Sequence, residues 1–343
     1  MIYKNLGRSG LKVSAVCLGT MTFATKDMFE DYGNTGSSDA KKLIDLAIDN
    51  GINLFDTADS YSGGSSEEAL GKALGKKRKD VLICTKIRFP SGTGVNDLGL
   101  SRHHIIEGCN GSLKRLGTDH IDIFLLHAFD QLTDLEETMA ALNDLVRQGK
   151  VRYIGCSNFA AWEVMKSISV SEKLGLEKFI TYQGYYSLAS REVEHEITPV
   201  CLDQGLGITC WSPLSGGFFT GKYRRGKPRP KGGRRSDPDN VTNIFAPVDE
   251  EKGYDIVDVI DEIAQKHNAS VSQVSLNYLF NKPAVSSVVV GSKKMKHLEE
   301  NIRSTELELD EEDITKIDKV SEPAHPYPHW FKKSIWEKDG IKV

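Results

Sequence analysis

Four side chains of types that can move protons stand where apolar runs of the chain end. Asp56, Lys86 and His127 each directly follow such a run, and Tyr61 lies in the segment after Asp56. Asp56 can pair with Lys86, which would keep a partly buried ammonium charged. That ammonium beside Tyr61 is expected to favour the phenolate and lower the pKa of the phenol. The four residues could therefore supply an acid that works near neutral pH.

A structural interpretation of each residue competes with this one. A polar side chain at the rim of a sheet can simply be satisfied by its neighbours, and for a lone histidine that is the commoner case. The set is more specific than its members, because an aspartate, a tyrosine, a lysine and a histidine would all have to fall on one edge. Whether they do depends on the elements that carry them.

Those elements alternate between short apolar runs and segments with helical spacing of apolar residues. Eight apolar runs are predicted as strands, near residues 13, 52, 81, 121, 151, 179, 208 and 285. Apolar strands separated by helices, roughly 30 residues apart in the middle of the chain, indicate a parallel sheet with helical crossovers. Eight of them favour the α/β class and a closed (β/α)8 TIM barrel. A doubly wound open sheet is the alternative, but the Gly-x-Gly-x-x-Gly turn that it usually carries is absent from the sequence.

In such a barrel the carboxyl ends of the strands meet at one mouth, which would bring the four residues together. We expect one barrel domain over residues 1–343. Leu6–Leu11 predicts the turn of an N-terminal hairpin. A long loop rich in proline, glycine and arginine, Lys222–Glu250, follows the seventh strand, and an aromatic tail occupies residues 321–343.

Composition excludes several classes of protein. The 343 residues are 39% hydrophobic and 27% charged, which is enough apolar side chain for a core and argues against disorder. Without a long apolar run, a membrane span is not expected, and the start of the chain lacks a secretory signal, so a cytoplasmic protein is expected. The net charge of −4 gives no basic excess for nucleic acid. No metal-ligand motif occurs, and the six cysteines are expected to be reduced, buried thiols.

A series of short motifs resembles the aldo-keto reductase superfamily over nearly the whole chain, from about residue 2 to residue 320. The matching segments are Leu18-Gly19-Thr20-Met21, Asn53–Tyr61, Thr85-Lys86, Leu126-His127, Gly155–Phe159, Tyr182–Ser187, Trp211–Leu214, Gly291-Ser292 and Glu300-Asn301. Any one of them is a weak signal, but the ordered series is specific.

The resemblance implies roles for the four residues. Tyr61 would give a proton to the oxygen of a small-molecule carbonyl substrate, Lys86 and Asp56 would tune Tyr61, and His127 would orient the carbonyl. A reduced nicotinamide would supply the hydride, and the protein would position it. The expected activity is therefore reversible, NADPH-dependent reduction of aldehydes or ketones.

The resemblance also implies the residues that hold the dinucleotide. Ser157, Asn158 and Gln183 would bind the nicotinamide carboxamide, and Trp211 would lie against its ring, although core packing is the alternative for Trp211. The other implied contacts are Gly19, Thr20 and Met21, then Ser212, Leu214 and Lys222 at the pyrophosphate, Gly291 and Ser292 at a helix start, Lys293 and His297 at the 2′-phosphate, and Glu300 and Asn301 at the adenine. His297 stands where many relatives have arginine or glutamine, so NADP is preferred over NAD mainly on Lys293 and Lys294.

Two other functions stay open at this stage. The same barrel serves as a regulatory subunit of channels in this superfamily, where the resemblance implies that the histidine is replaced; here His127 is present. An NAD-dependent sugar or alcohol dehydrogenase is the other.

The loop 222–250 is expected to be either a lid on the cofactor or a surface insertion. The tail could lie over the mouth, on the barrel side or in a second subunit, and the first is preferred. The sequence sets neither the substrate nor the oligomeric state.

Overall fold

Eight parallel strands close into a barrel in the computed structural model, which describes residues 1–24, 35–231, 234–235 and 241–338. Around the barrel the order is β10-β3-β4-β5-β6-β7-β8-β9. The barrel strands are β3 (Val16–Gly19), β4 (Leu54–Asp56), β5 (Leu82–Ile87), β6 (Ile121–Leu126), β7 (Val151–Ser157), β8 (Thr181–Tyr185), β9 (Gly207–Trp211) and β10 (Val285–Gly291). The predicted (β/α)8 TIM barrel is confirmed.

Helices follow the strands and cover the outside of the barrel. They are α1 (Ser37–Asp49), α2 (Ser65–Leu74), α3 (Arg102–Leu116), α4 (Leu135–Arg147), α5 (Ala161–Leu174), α6 (Ile197–Gln204), α7 (Val241–Phe245), α8 (Glu250–Lys266), α9 (Val271–Phe280), α10 (Met295–Arg303), α11 (Glu311–Val320) and α12 (His329–Lys338). Their apolar residues recur at helical spacing, as in α4, where Leu135, Met139 and Leu142 are buried. Helix α3 ends at Gly117, whose φ of 64° is a left-handed conformation that glycine adopts without strain.

A short antiparallel hairpin closes the end of the barrel opposite the mouth. Its strands β1 (Tyr3–Asn5) and β2 (Lys12–Ser14) pair with Tyr3 opposite Ser14. Leu6 and Val13 pack into the same interior cluster as apolar side chains of β3 to β6. The hairpin is confirmed, but the run predicted as one strand near residue 13 is divided at Ala15. Its first half belongs to the hairpin, and its second half is β3.

The segment after β9 is anchored rather than loosely extended. Within the predicted loop 222–250, residues 232–233 and 236–240 lie outside the described residues. Arg235 is 4% exposed. Its guanidinium donates to Ser215 O (3.1 Å), to Asn243 Oδ1 (2.8 Å) and to Ala246 O. One buried cation thus ties the loop to the segment directly after β9 and to helix α7.

The tail docks on the outer rim of the barrel. The Nε2 atom of His329 lies 2.9 Å from Glu196 Oε1, and the rings of His195 and His329 stack with their centroids 4.8 Å apart. His195 Nε2 lies 3.0 Å from Ala324 O. These contacts fall in the segment between β8 and α6. This segment leads from the carboxyl end of β8, at the mouth, to α6, so the tail contacts the rim of the mouth. Its placement across the active site stays a prediction. Among the described residues, no helix is long and apolar enough to cross a membrane.

Candidate active site

A buried ion pair lies at the carboxyl ends of β4 and β5. Lys86 Nζ donates to Asp56 Oδ1 (2.7 Å) and to Thr57 O (2.6 Å). The two charged side chains are 0% and 4% exposed. Burial is the largest single effect and opposes the charge on Lys86, but the negative charge and hydrogen bond of Asp56, together with Tyr61 and Cys84, outweigh it, and the pKa of Lys86 is raised. The ammonium therefore stays charged inside the barrel.

Neighbouring strands hold this pair in place. Strands β4 and β5 run side by side, with Asp56 in register with Cys84. On the other side the backbone N–H of Thr20 donates to Asp56 O (2.8 Å), and the hydroxyl of Thr20 donates to the same oxygen (3.1 Å). Thr20 follows Gly19, where an added Cβ would come within 2.9 Å of Val289. In this structure Thr20 therefore orients the backbone of Asp56.

Tyr61 lies above the pair on a tight turn, Tyr61–Gly64. The next residue, Ser62, has a φ of 51°, and the two glycines after it are also left-handed. Lys86 Nζ is 5.0 Å from the centre of the Tyr61 ring. Burial nevertheless raises the pKa of Tyr61, although Lys86 acts to lower it. The expected net lowering is wrong in direction here, because desolvation of the phenolate exceeds the attraction of the ammonium. At neutral pH Tyr61 is a protonated phenol.

His127 follows β6 and completes the group. Its ring meets that of Tyr61 edge-on, with centroids 5.9 Å apart, and that of Phe89 in the same way at 4.8 Å. Burial lowers the pKa of His127 well below its ordinary value, and Lys86 and Arg88 add to the effect. The Nδ1 atom is buried without a hydrogen-bond partner among the described residues. The imidazole is therefore neutral and can donate one hydrogen bond.

The three residues expected at the carboxamide form one network with the ion pair. Gln183 Nε2 donates to Asp56 Oδ2 (2.8 Å). Asn158 Nδ2 donates to His127 O (2.9 Å) and to Ser157 Oγ (3.0 Å), and it is held in a left-handed conformation with a φ of 56°. These amides and hydroxyls lie at the ends of β7 and β8, around the mouth, where they can form hydrogen bonds with an amide-bearing ligand.

An aromatic wall stands beside this network. Trp211, at the end of β9, is only partly buried, and its Nε1 donates to Asn158 Oδ1 (3.0 Å). Its ring stacks on Tyr185 with centroids 4.8 Å apart and planes at 24°. A flat, partly exposed face held from behind fits an aromatic ring lying against it. Core packing alone does not explain a tryptophan in this position.

Cationic side chains gather in the segments after β9 and β10. Arg234 reaches the end of β10, where an added Cβ on Gly291 would lie 3.4 Å from its Nη2. Burial and the charge of Arg234 lower the pKa of Lys293. Burial, and then the charge of Lys222, lower the pKa of His297. Like charges held this close are typical of an anion site. These cations fit the phosphates of a dinucleotide.

One detail of the predicted site differs from expectation. Gly291 and Ser292 do not open a helix, because Gly291 ends β10 and α10 begins at Met295. Ser292 Oγ instead donates to Lys294 O (2.7 Å) and shapes the connection. The remaining predicted contacts lie along this side of the barrel: Met21 after β3, Ser212 and Leu214 after β9, and Glu300 and Asn301 on α10.

Sequence reasoning missed one contact of the site, between Gln183 and Asp56, and two of its members, Arg234 and Phe89. The contact of Gln183 with Asp56 joins β8 to β4 across the barrel, and no local pattern signals a contact between residues so far apart. The loop 222–250 contains five arginines, and nothing in the sequence distinguishes Arg234 from the others. Three of the others, Arg224, Arg225 and Arg229, form ion pairs with carboxylates of α8. Phe89, against His127, follows directly after β5, and that position was the signal that could have revealed it.

Comparison with known proteins agrees with this geometry. The model of the aldo/keto reductase family matches residues 15–322. A Schizosaccharomyces pombe protein provisionally named an aryl-alcohol dehydrogenase is 36% identical and aligns over 95% of this chain and 97% of its own. Versiconal hemiacetal acetate reductase of Aspergillus parasiticus is 35% identical and aligns over 96% of this chain and 99% of its own. A rice protein provisionally named a β subunit of a voltage-gated potassium channel is 37% identical, over 93% and 96%.

Proposed function

The chain belongs to the aldo/keto reductase family, a family of oxidoreductases acting on carbonyl and alcohol groups, and on that premise we propose that it reduces aldehydes or ketones with NADPH. The observation that carries the proposal is the arrangement at the mouth. A protonated Tyr61 stands above the buried Lys86–Asp56 pair, with neutral His127 edge-on beside it. When bound, a reduced nicotinamide would supply the hydride.

In this proposal Tyr61 gives its proton to the carbonyl oxygen. The Lys86 ammonium stabilises the phenolate that remains, and Asp56 keeps that ammonium charged. His127 donates a hydrogen bond to the same carbonyl oxygen and so fixes its position over the phenol. Because the site is largely buried, each of these interactions is stronger than it would be in water.

Ser157, Asn158 and Gln183 would hold the carboxamide of the cofactor, and Trp211 its ring. Lys222, Arg234, Lys293 and His297 would face its phosphates. The positive charges at that end support NADPH over NADH, since a 2′-phosphate adds charge that they can bind. Glu300 and Asn301 would face the adenine.

Aromatic aldehydes are the substrate class that we propose first. Phe89, edge-on to His127, gives the mouth an aromatic wall beside the proton donor that the cofactor does not need. A flat aromatic substrate can pack against such a wall. The name of the Schizosaccharomyces pombe relative supports the same class.

The test is a cofactor-oxidation assay on the purified chain. NADPH and NADH are each supplied with aromatic aldehydes, aliphatic aldehydes, ketones, sugars and diketones, and the absorbance of the reduced nicotinamide is followed. We expect turnover with aromatic aldehydes and a preference for NADPH. Tight NADPH binding without turnover on any carbonyl would contradict the proposal. It would favour a regulatory role like the one named for the rice relative.

A further inference from the structure

Asp59 is a buried carboxyl that the proposed chemistry does not use. It lies between Asp56 and Tyr61 and is 2% exposed. Its backbone N–H donates to Lys86 O (3.3 Å), which joins its main chain to the strand end that carries Lys86. Neither oxygen of its carboxyl accepts a hydrogen bond from a side chain in the part of the chain that the structure describes.

In the neighbouring carboxyl, Glu67 on α2, both oxygens accept hydrogen bonds. Its Oε1 accepts from the hydroxyl of Thr85 (2.6 Å), on the strand residue before Lys86, and its Oε2 accepts from Arg115 Nε (2.6 Å). Arg115, on α3, also packs against the turn that carries Tyr61, because a Cβ on Gly64 would come within 2.5 Å of its Cδ. Glu67 and Arg115 thus brace both the turn and the strand of the site.

The charges of this buried region do not balance if every carboxyl is ionised. Asp56 has Lys86 at 2.7 Å and Glu67 has Arg115 at 2.6 Å, whereas none of the ion pairs of the described residues includes Asp59. Burial, and then the charge of Glu67, raise the pKa of Asp59 to about 8, against the opposing effects of Arg115 and Lys86. Asp59 is thus uncharged at neutral pH, and a modest rise in pH removes its proton.

We propose that Asp59 is a positioning residue for the proton donor: it is an uncharged carboxyl beside the turn that carries Tyr61, and on losing its proton it adds a negative charge near Lys86 that slows proton transfer from Tyr61. The inference rests on the proposed function. Asp59 acts through Lys86, whose ammonium is what stabilises the Tyr61 phenolate. A second anion near that ammonium, besides Asp56, weakens its effect on the phenol. Reduction therefore slows in mildly alkaline solution.

The test is the pH profile of reduction for the wild type, Asp59→Asn and Glu67→Gln. Between about pH 7 and about pH 9 the wild type should lose about tenfold in kcat, if its ionised form is inactive. Asp59→Asn cannot ionise, and its profile should lack this step. Glu67→Gln frees Arg115 to stabilise an Asp59 anion, so its step should move to lower pH. Asp122→Asn, a buried aspartate paired with Arg78 away from the mouth, should keep the wild-type step.

A second readout does not depend on activity. Unfolded Asp59 ionises near its ordinary pKa of about 3.9, and the folded chain keeps the proton until about pH 8. Ionisation of the unfolded state therefore lowers the thermal midpoint of the wild type, relative to Asp59→Asn, as pH rises from about 5 to about 8. If the difference in thermal midpoint between the wild type and Asp59→Asn stays constant over this pH range, the conclusion that Asp59 is uncharged in the folded chain is wrong. A wild-type step that Asp59→Asn retains would overturn the positioning role, whereas no turnover by the wild type at any pH would overturn the proposed function instead.

Discussion

Removing the charge of Asp56 should destabilise the fold as well as the chemistry. Asp56→Asn keeps the shape of the side chain and still offers an oxygen to Lys86, but the ammonium loses its counter-charge. Both side chains are almost fully buried, so water cannot replace the anion. Breaking a buried pair by removing one partner costs about 3–5 kcal/mol. Because Thr57 O still accepts from Lys86, we expect the lower end, about 3 kcal/mol.

A double-mutant cycle isolates the pair itself. Lys86→Met alone leaves Asp56 without its cation, and Asp56→Asn with Lys86→Met leaves no unpaired charge. The double variant should therefore cost about 2 kcal/mol less than the sum of the single variants. The free energies of unfolding come from urea titrations followed by tryptophan fluorescence. Asp122→Asn, at the more exposed pair with Arg78, should cost less than Asp56→Asn.

The effect should hardly change with pH. The pKa of Lys86 is raised above its unfolded value, so its stabilisation is complete below about pH 10 and is lost only as pH rises through the folded value. The cost of Asp56→Asn should be the same at about pH 5 and about pH 7, below the range in which Asp59 loses its proton. If the free-energy costs of the two single variants add up to that of the double variant, or if the single variants are as stable as the wild type, this pair is not a buried, charged unit.

Two further predictions concern the cofactor. The double variant Lys293→Ala with Lys294→Ala should weaken the binding of NADPH much more than that of NADH, because the lost charges would face only the extra phosphate. Equal losses of affinity for the two cofactors, measured by fluorescence titration, would show that the 2′-phosphate site is misplaced. Proteolysis within residues 222–250 should slow when NADP is added, because a ligand that binds the ordered form of the loop increases the population of that form. An unchanged rate of proteolysis at saturating NADP would favour a surface insertion.

The barrel was predictable because its signal is periodic and local. Strands such as Ile121–Leu126 are continuous apolar runs, and the helices between them repeat apolar residues at helical spacing. The one divided run, at Ala15, shows the limit of this reasoning. Val13 before Ala15 and Val16 after it are both apolar and buried, and only their pairing partners distinguish the hairpin from the barrel.

The candidate site was predictable in part for the same reason. Asp56, Lys86 and His127 could be placed together, since carboxyl ends of parallel strands share one mouth. The balance between burial and charge at Tyr61 could not be read from the sequence, because it depends on how much water reaches the phenol. The neighbours of Asp59 likewise come from α2 and α3, and their distances exist only in the folded chain. The docking of the tail on residues near His195 depends on the same kind of long-range contact.

The most direct test of the proposed mechanism is the Tyr61→Phe variant, measured for both turnover and NADPH binding. The change removes one hydroxyl and leaves the ring that lies over Lys86. Loss of a positioned acid costs about 10² to 10⁴ in rate, so kcat for aromatic aldehydes should fall by that factor while the dissociation constant for NADPH stays near the wild-type value. A purified Tyr61→Phe variant that reduces aldehydes at a near-normal rate would contradict the assignment of Tyr61 as the proton donor.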